Sequence, residues 1–209
     1  MHSMPNPSPA PRRRARALAA LLGATLACLA APQAAWAHAG HAGPLVRFVS
    51  TKHALKAMLP RGAKIVRRKQ ELSEEARRWA KERFGVELPG GLHTFFLARD
   101  RASGRVLGGA LVREEHYRHG SARVAVGLDD RLRLTGLGLL GVSKKYTIDF
   151  EALGKGLFRG FEGLAPEALP ERLEARFGHG SLPARKLVGW LKQDAALLAA
   201  LLHQVEGSR

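Results

Sequence analysis

Four short apolar runs near the middle of this 209-residue chain constrain its fold more than any other feature. They are Leu92–Arg99, Arg105–Glu114, Ala122–Leu128 and Leu132–Leu140. The turn-forming pairs Ser103-Gly104 and Asp129-Asp130 lie between runs, and such spacing is typical of consecutive antiparallel strands. Polar and apolar residues alternate in Arg123–Val126, as they do in half-buried strands. The pattern predicts a four-stranded antiparallel meander.

Helical patterns lie on both sides of these runs. On the N-terminal side, His53–Leu59 precedes Pro60, the basic run Lys64–Lys69 reads as extended, and Ser73 begins a helix that Gly85 ends. On the C-terminal side, three helices are predicted at Phe150–Phe161, Pro166–Phe177 and Pro183–Gln204. The sequence therefore predicts an α+β fold, in which N- and C-terminal helices pack against the meander.

The first 37 residues have the pattern of a secretory signal. Four arginines up to Arg16 precede the apolar run Ala17–Ala31, and Ala35-Trp36-Ala37 matches a signal-peptidase site. The alternative is an uncleaved anchor, because Cys28 stands in a weakly lipobox-like context. We expect cleavage after Ala37, a periplasmic location, a flexible tail over 38–52 and one domain over 53–209.

Export changes what the composition allows. The full chain has a net charge of +16, and the four arginines of the signal leave 30 basic against 18 acidic residues, or +12, in the mature chain. Cys28 is the only cysteine, so the mature chain can form no disulfide, thiolate nucleophile or iron–sulfur ligand. A basic exported protein is expected to meet phosphate groups, acidic proteins or membrane surfaces, and not nucleic acid.

The order of several segments is similar to that of a known family. These segments are Ala54–Pro60, Leu72–Glu75, Gly108–Val112, Val124–Asp129 and Phe158–Gly163. Together they resemble the exported FMN-binding domain family, which includes flavin-carrying subunits of membrane electron-transport complexes and standalone periplasmic proteins. The resemblance covers most of Ala54–Gly163 through hydrophobic and turn positions. It implies FMN as cofactor, electron transfer as function, and a membrane electron-transport complex as partner. The surplus of Lys and Arg favours an acidic redox protein as an alternative partner.

The family's most specific motif departs from its usual form in this chain. Family members carry Ser/Thr-Gly-Ala-Thr-x-Ser/Thr, whose Thr takes FMN through a phosphoester bond, whereas this chain has Leu182 in the place of that Thr. The resemblance thus implies noncovalent FMN, with His179, Gly180 and Ser181 at its phosphate. On physical grounds a Gly-rich loop before a helix can hold phosphate. The alternative for this segment is a capped loop between two helices.

A second group of candidate residues lies in the loop Glu114–Gly120 and beyond it. The resemblance places Arg118 and His119 near the flavin or its phosphate, and lets Tyr146 stack on the isoalloxazine ring. A solvated turn is the alternative for the loop, and a metal site with His116 is a weaker one.

Two further functions remain open from the sequence. His38 and His41 would suit copper if the chain begins at His38, with a signal-cleavage remnant as the alternative. A flavin-free accessory or binding protein of a membrane redox system is compatible with Leu182. No Gly-x-Ser-x-Gly segment or nucleotide-binding fingerprint occurs, so the sequence predicts no hydrolase.

Overall fold

The structure, a computed structural model, describes residues 42–178 and 180–207. Its strands are β1 Leu45–Arg47, β2 Lys64–Glu71, β3 Leu92–Arg99, β4 Val106–Tyr117, β5 Gly120–Asp129, β6 Leu134–Ser143 and β7 Gly156–Phe158. Its α-helices are α1 Thr51–Met58, α2 Glu74–Phe84, α3 Leu169–Phe177 and α4 Leu182–Gly207. Short 3-10 helices cover Lys144–Tyr146, Ile148–Leu153 and Pro166–Ala168. The predicted α+β class is confirmed.

All seven strands form one antiparallel sheet, in the order β1-β6-β5-β4-β3-β2, with β7 also paired to β6. The four predicted runs correspond to β3–β6, but the sheet is larger than the predicted four strands. The sheet gains β2 at one edge, while β1 and β7 pair with different stretches of β6 at the other. These three strands are short or basic, so their local pattern carries little strand signal without its partner.

Local signals place the helix ends correctly. The Ser73 hydroxyl accepts a hydrogen bond from the Ala76 amide at 3.1 Å, and Gly85 ends α2 in the left-handed conformation with φ 63°. Ser181 caps α4 in the same way, since its hydroxyl accepts from the Ala184 amide at 3.3 Å. The helices predicted around Pro166–Phe177 and Pro183–Gln204 are confirmed within a few residues.

Two predicted segments differ from the structure. Residues 45–52, predicted as part of a flexible tail, form β1 and begin α1, because Leu45–Arg47 pairs with the end of β6. The helix predicted over Phe150–Phe161 is a 3-10 helix followed by β7. Gly154 and Gly156 have φ of 87° and 90°, which end the helical path and allow Gly156–Phe158 to pair with Leu137–Leu139.

The two faces of the sheet are covered unequally. The long helix α4 packs across β4 and β5 on one face, with α2 and α3 beside it, and this side holds most of the core. The eight-residue α1 covers part of the other face, over β4, β5 and β6. It lies close to the sheet because Gly127 and Gly136 leave room for Met58. The absence of side chains at these two glycines thus allows α1 to pack close to the sheet.

Some predictions concern residues outside the described ranges. They are the signal peptide over 1–37, Cys28, His38, His41 and His179. Within the described ranges, no helix has the length and apolarity needed to cross a membrane.

Candidate functional site

Three arginines surround one small cavity beside the end of β7. Arg159 follows that strand, and Arg172 and Arg176 are four residues apart on α3. The cavity has a volume of about 220 Å³ and is completed by Gly160, Phe161 and Ala175. In the part of the chain that the structure describes, none of the three guanidinium groups forms an ion pair with a carboxylate. Their mutual repulsion makes the cavity receptive to an anion.

The arginine cavity is held in place by aromatic packing. The Arg176 guanidinium carbon lies 5.4–5.5 Å from the ring centroids of Phe158, Phe161 and Phe177, and its Nη1 donates to the Arg159 carbonyl at 2.7 Å. Cation–π contacts of this kind fix a guanidinium without neutralising its charge. Phe158 and Phe161 are buried residues of the core.

Glu162, which interacts with the Arg159 charge, is committed to backbone hydrogen bonds. The Glu162 carboxylate accepts hydrogen bonds from the Gly160 and Phe161 amides at 2.9 and 3.1 Å. Backbone hydrogen bonds, including one from its own amide, lower the pKa of Glu162, and the Arg159 charge adds to this effect. Glu162 therefore stays charged and shapes the turn, while the arginines keep their anion-binding capacity.

A second cavity adjoins the first through Arg159, which lines both. It has a volume of about 390 Å³ and lies between α1, the start of β6 and β7. Val49, Met58 and Leu157 contribute apolar groups to its wall. The other lining residues include His53, Thr135, Lys155 and Glu162. An anionic group on the arginines could thus carry a larger, partly apolar body into this space.

The predicted phosphate-binding loop follows α3 directly. Gly180 and Ser181 come shortly after Arg176 in the chain and lead into α4, whose N-terminus attracts negative charge. The Gly180 carbonyl accepts from Arg185 Nη1 at 3.1 Å, and Ser181 is the cap described above. Leu182, at the position of the family's acceptor Thr, is 37% exposed. The loop therefore offers backbone and charge for a phosphate but no hydroxyl at that position.

The other predicted group, Arg118, His119 and Tyr146, forms a compact cluster of its own. The His119 amide donates to the Tyr146 hydroxyl at 3.4 Å, and Arg118 pairs with Asp149 at 3.4 Å. Tyr146 is only 3% exposed and packs edge-to-face with Tyr117 at 5.3 Å. Tyr146 is therefore a core residue, and this packing does not provide the open ring face that stacking on a flavin requires. The loop itself is shorter than predicted, because β4 continues through Tyr117 and leaves Arg118 and His119 as its turn.

The turn at Arg118 and the arginine cavity lie beside different stretches of β6. The turn at Arg118 adjoins Ser143, since the Ser121 amide donates to the Ser143 hydroxyl. Arg159 leaves β7 next to Phe158, which is paired with Leu137. Six residues of strand separate these positions, or about 20 Å. The structure thus brings Arg118, His119 and Tyr146 together, apart from Arg159. Gly180 and Ser181 follow Arg176 in the chain but do not line the arginine cavity.

Sequence reasoning missed one ion pair of the interior and two arginines of the surface. Asp194, on the buried face of α4, is fully buried and bonds Arg113 of β4. The sequence does contain a signal for the burial of Asp194. It is a lone acidic residue on the apolar stripe of a predicted helix, three positions after Leu191 and four after Trp190. Arg172 and Arg176 were also missed, although their spacing of four on a helix places both on one face.

The described residues do not provide a set of metal ligands for either metal hypothesis. Across 42–178 and 180–207 no group of three or more His, Cys, Asp or Glu side chains is placed to hold an ion. His116 lies on β4 and His119 in the following turn. The copper hypothesis rests on His38 and His41, which lie outside these ranges.

Comparisons with models of protein families, with curated proteins and with solved structures find no match to this chain. The likeness to the exported FMN-binding domain family thus remains one of residue pattern.

Proposed function

We propose that this chain is an exported, periplasmic protein that binds FMN noncovalently and passes electrons between partners. The observation that carries the proposal is the cavity formed by Arg159, Arg172 and Arg176, which have no ion-pair partner among the described residues. This cavity adjoins a larger one through Arg159. FMN has two parts that match them, a phosphate for the arginines and a ring system for the larger cavity. The resemblance to the FMN-binding family supplies the choice of FMN among such ligands.

Each part of the site has a distinct task under this proposal. Arg172 and Arg176 hold the phosphate, and guanidinium groups suit that role because they donate paired hydrogen bonds. Arg159 connects the two cavities, and Phe158 and Leu157 border the space for the ring. The bound flavin supplies the redox chemistry, while these residues orient it and favour its reduced, anionic form. The departure at Leu182 is the reason for proposing noncovalent attachment.

The proposed partner follows from charge. A mature chain with a net charge of +12 attracts an acidic redox protein or an anionic membrane surface, and speeds their encounter at low ionic strength. A membrane electron-transport complex is the partner that the resemblance implies.

The first experiment is a visible spectrum of the protein after export in a flavinylation-competent host, before and after acid precipitation. Yellow colour released to the supernatant supports noncovalent FMN. Colour retained by the pellet would contradict noncovalent attachment and direct attention to Ser181.

A binding titration then tests the site itself. FMN and riboflavin differ only by the phosphate, so FMN should bind more tightly, and Arg172→Gln should remove most of the difference. Arg172 is exposed and its side chain makes no described contact, so this change spares the fold. Arg78→Gln, an exposed arginine of α2, removes the same charge elsewhere and should have little effect. Equal affinity of the wild-type protein for both flavins would contradict the proposal.

A flavin-free accessory protein is the second candidate function, and Leu182 is the observation that favours it. In that case neither the exported protein nor the purified protein with added FMN acquires flavin absorbance. The same titration therefore decides between the two candidates.

A further inference from the structure

A large apolar groove lies on the sheet face that α1 covers only in part. Its volume is about 670 Å³, within the range of small-molecule sites. Apolar side chains of α1, the following loop, β2 and β3 line it. They are Leu55, Leu59, Pro60, Ala63, Ile65 and Phe96. None of these residues lines the two cavities at Arg159.

The groove is a consequence of the short helix. α1 has eight residues and packs mainly over β4, β5 and β6, so it leaves much of the outer strands β2 and β3 uncovered. Ile65 and Ala98 are paired across those strands, and Ile65 remains 44% exposed. Leu55 and Phe96 are only partly buried against the cluster around Leu59. Apolar surface of this extent is costly to leave in water, and it marks a binding surface.

Three cations stand at the edge of the groove. Lys52 and Lys56 lie one turn apart on α1, and Arg61 follows Pro60 in the loop. All three are exposed, and none forms an ion pair within residues 42–178 and 180–207. No acidic side chain lines the groove. The site thus joins an apolar body to a positively charged rim.

We infer that this groove binds a single-chain anionic amphiphile, with the acyl chain against Leu55, Leu59 and Phe96 and the head group at Lys52, Lys56 and Arg61. The rim charge favours an anionic head over a neutral one. A second copy of this chain is a poor occupant, because it would bring like charge to the rim. The inference does not depend on flavin binding.

The test compares three twelve-carbon amphiphiles below their critical micelle concentrations, without FMN. They are laurate with an anionic head, dodecyl maltoside with a neutral head and dodecyltrimethylammonium with a cationic head. Isothermal titration should give one saturable site with affinity falling in that order. Amide chemical-shift mapping by NMR should locate the changes at α1, Ala63 and Phe96.

Matched variants separate the chain-binding and head-binding contributions. Leu55→Gln should weaken laurate about tenfold by removing apolar contact, and Lys56→Gln about threefold by removing one rim charge. Leu92→Gln changes a hydrophobic residue that is 65% exposed outside the groove, so it should leave affinity unchanged. Circular dichroism confirms that each variant is folded.

Several outcomes would overturn the inference. They are the absence of saturable laurate binding, equal affinity for the three heads, or shift changes located away from the groove. Arg172→Gln should leave laurate binding intact, so a failure of the FMN proposal and a failure of this one are distinguishable. If Leu55→Gln does not fold, the NMR shift mapping on the wild-type chain still shows whether laurate binds in the groove.

Discussion

Arg113 of β4 and Asp194 of α4 form an ion pair inside the protein. Arg113 Nη1 donates to Asp194 Oδ1 at 2.9 Å, and the Asp194 residue is fully buried. Arg113 also pairs with Glu115 at 3.2 Å, so one guanidinium serves two carboxylates. Asp194 Oδ2 has no hydrogen-bond partner among the described residues. Burial raises the pKa of Asp194 to about 7, although the Arg113 charge acts in the opposite direction.

This pair predicts a particular pH dependence of stability. The folded-state pKa of Asp194 lies above its value of 3.8 in the unfolded chain, so the folded protein binds the extra proton between these values. The contribution of Asp194 to the free energy of unfolding therefore falls as pH rises from about 4 to about 7. In the wild type this fall should amount to at least ~1 kcal/mol between pH 4 and pH 7, and Asp194→Asn should remove it.

Urea unfolding from pH 4 to pH 8 measures the effect as a difference in slope between the wild type and Asp194→Asn. Carboxylates with lowered pKa values, among them Glu114 and Glu162, contribute in the opposite direction in both proteins and cancel in the comparison. Parallel curves for the two proteins would contradict the raised pKa.

Gly127 is expected to tolerate no side chain. A Cβ there would lie 2.5 Å from Thr135 Oγ1 and 2.7 Å from Met58 Cβ, so Gly127→Ala should push α1 away from the sheet. We expect a loss of about 1–3 kcal/mol in the free energy of unfolding.

Gly189 provides the matched control for Gly127. It lies inside α4, and a Cβ there meets nothing within 4 Å. Gly189→Ala should stabilise the protein by about 0.5–1 kcal/mol, because alanine loses less backbone entropy in a helix. Thermal unfolding of both variants checks the opposite signs, and a stabilised Gly127→Ala would show that α1 lies farther from the sheet.

Tyr117 is expected to ionise only at unusually high pH. Burial raises its pKa to about 12, and its hydroxyl donates to Asp149 Oδ2 at 2.9 Å, a bond that the phenolate could not make. The chain has two tyrosines, so Tyr146→Phe leaves Tyr117 as the single reporter. Absorbance at the phenolate band should rise only near pH 12. A midpoint near 10 would mean that the ring is solvated.

Ser181 is expected to act as a helix cap and not as a flavin attachment point. Ser181→Ala removes the hydroxyl that accepts from the Ala184 amide, and should lower the free energy of unfolding by about 1 kcal/mol. FMN affinity should not change, because the proposed attachment is noncovalent. Ser181→Thr keeps the capping oxygen and should retain stability. Loss of flavin with Ser181→Ala at unchanged stability would contradict this prediction.

Part of the fold and part of the site could be read from short segments. Turn pairs such as Asp129-Asp130, the caps Ser73 and Ser181 and the alternation in β5 are governed by neighbours along the chain. They therefore predicted β3–β6, α2 and α4. The positive charge and the phosphate-favouring segment at Gly180 are likewise properties of composition and local order.

Contacts between distant segments decided the rest. β1 and β7 are three residues each and exist because β6 offers an unpaired edge, which no local pattern reveals. Tyr146 is buried because Tyr117 packs beside it, and Asp194 is buried because α4 lies across β4 and β5. The sequence alone determined which residues favour strands, turns and caps. Only the tertiary structure assembled three separated arginines around one cavity, because side-chain proximity across elements depends on how those elements pack.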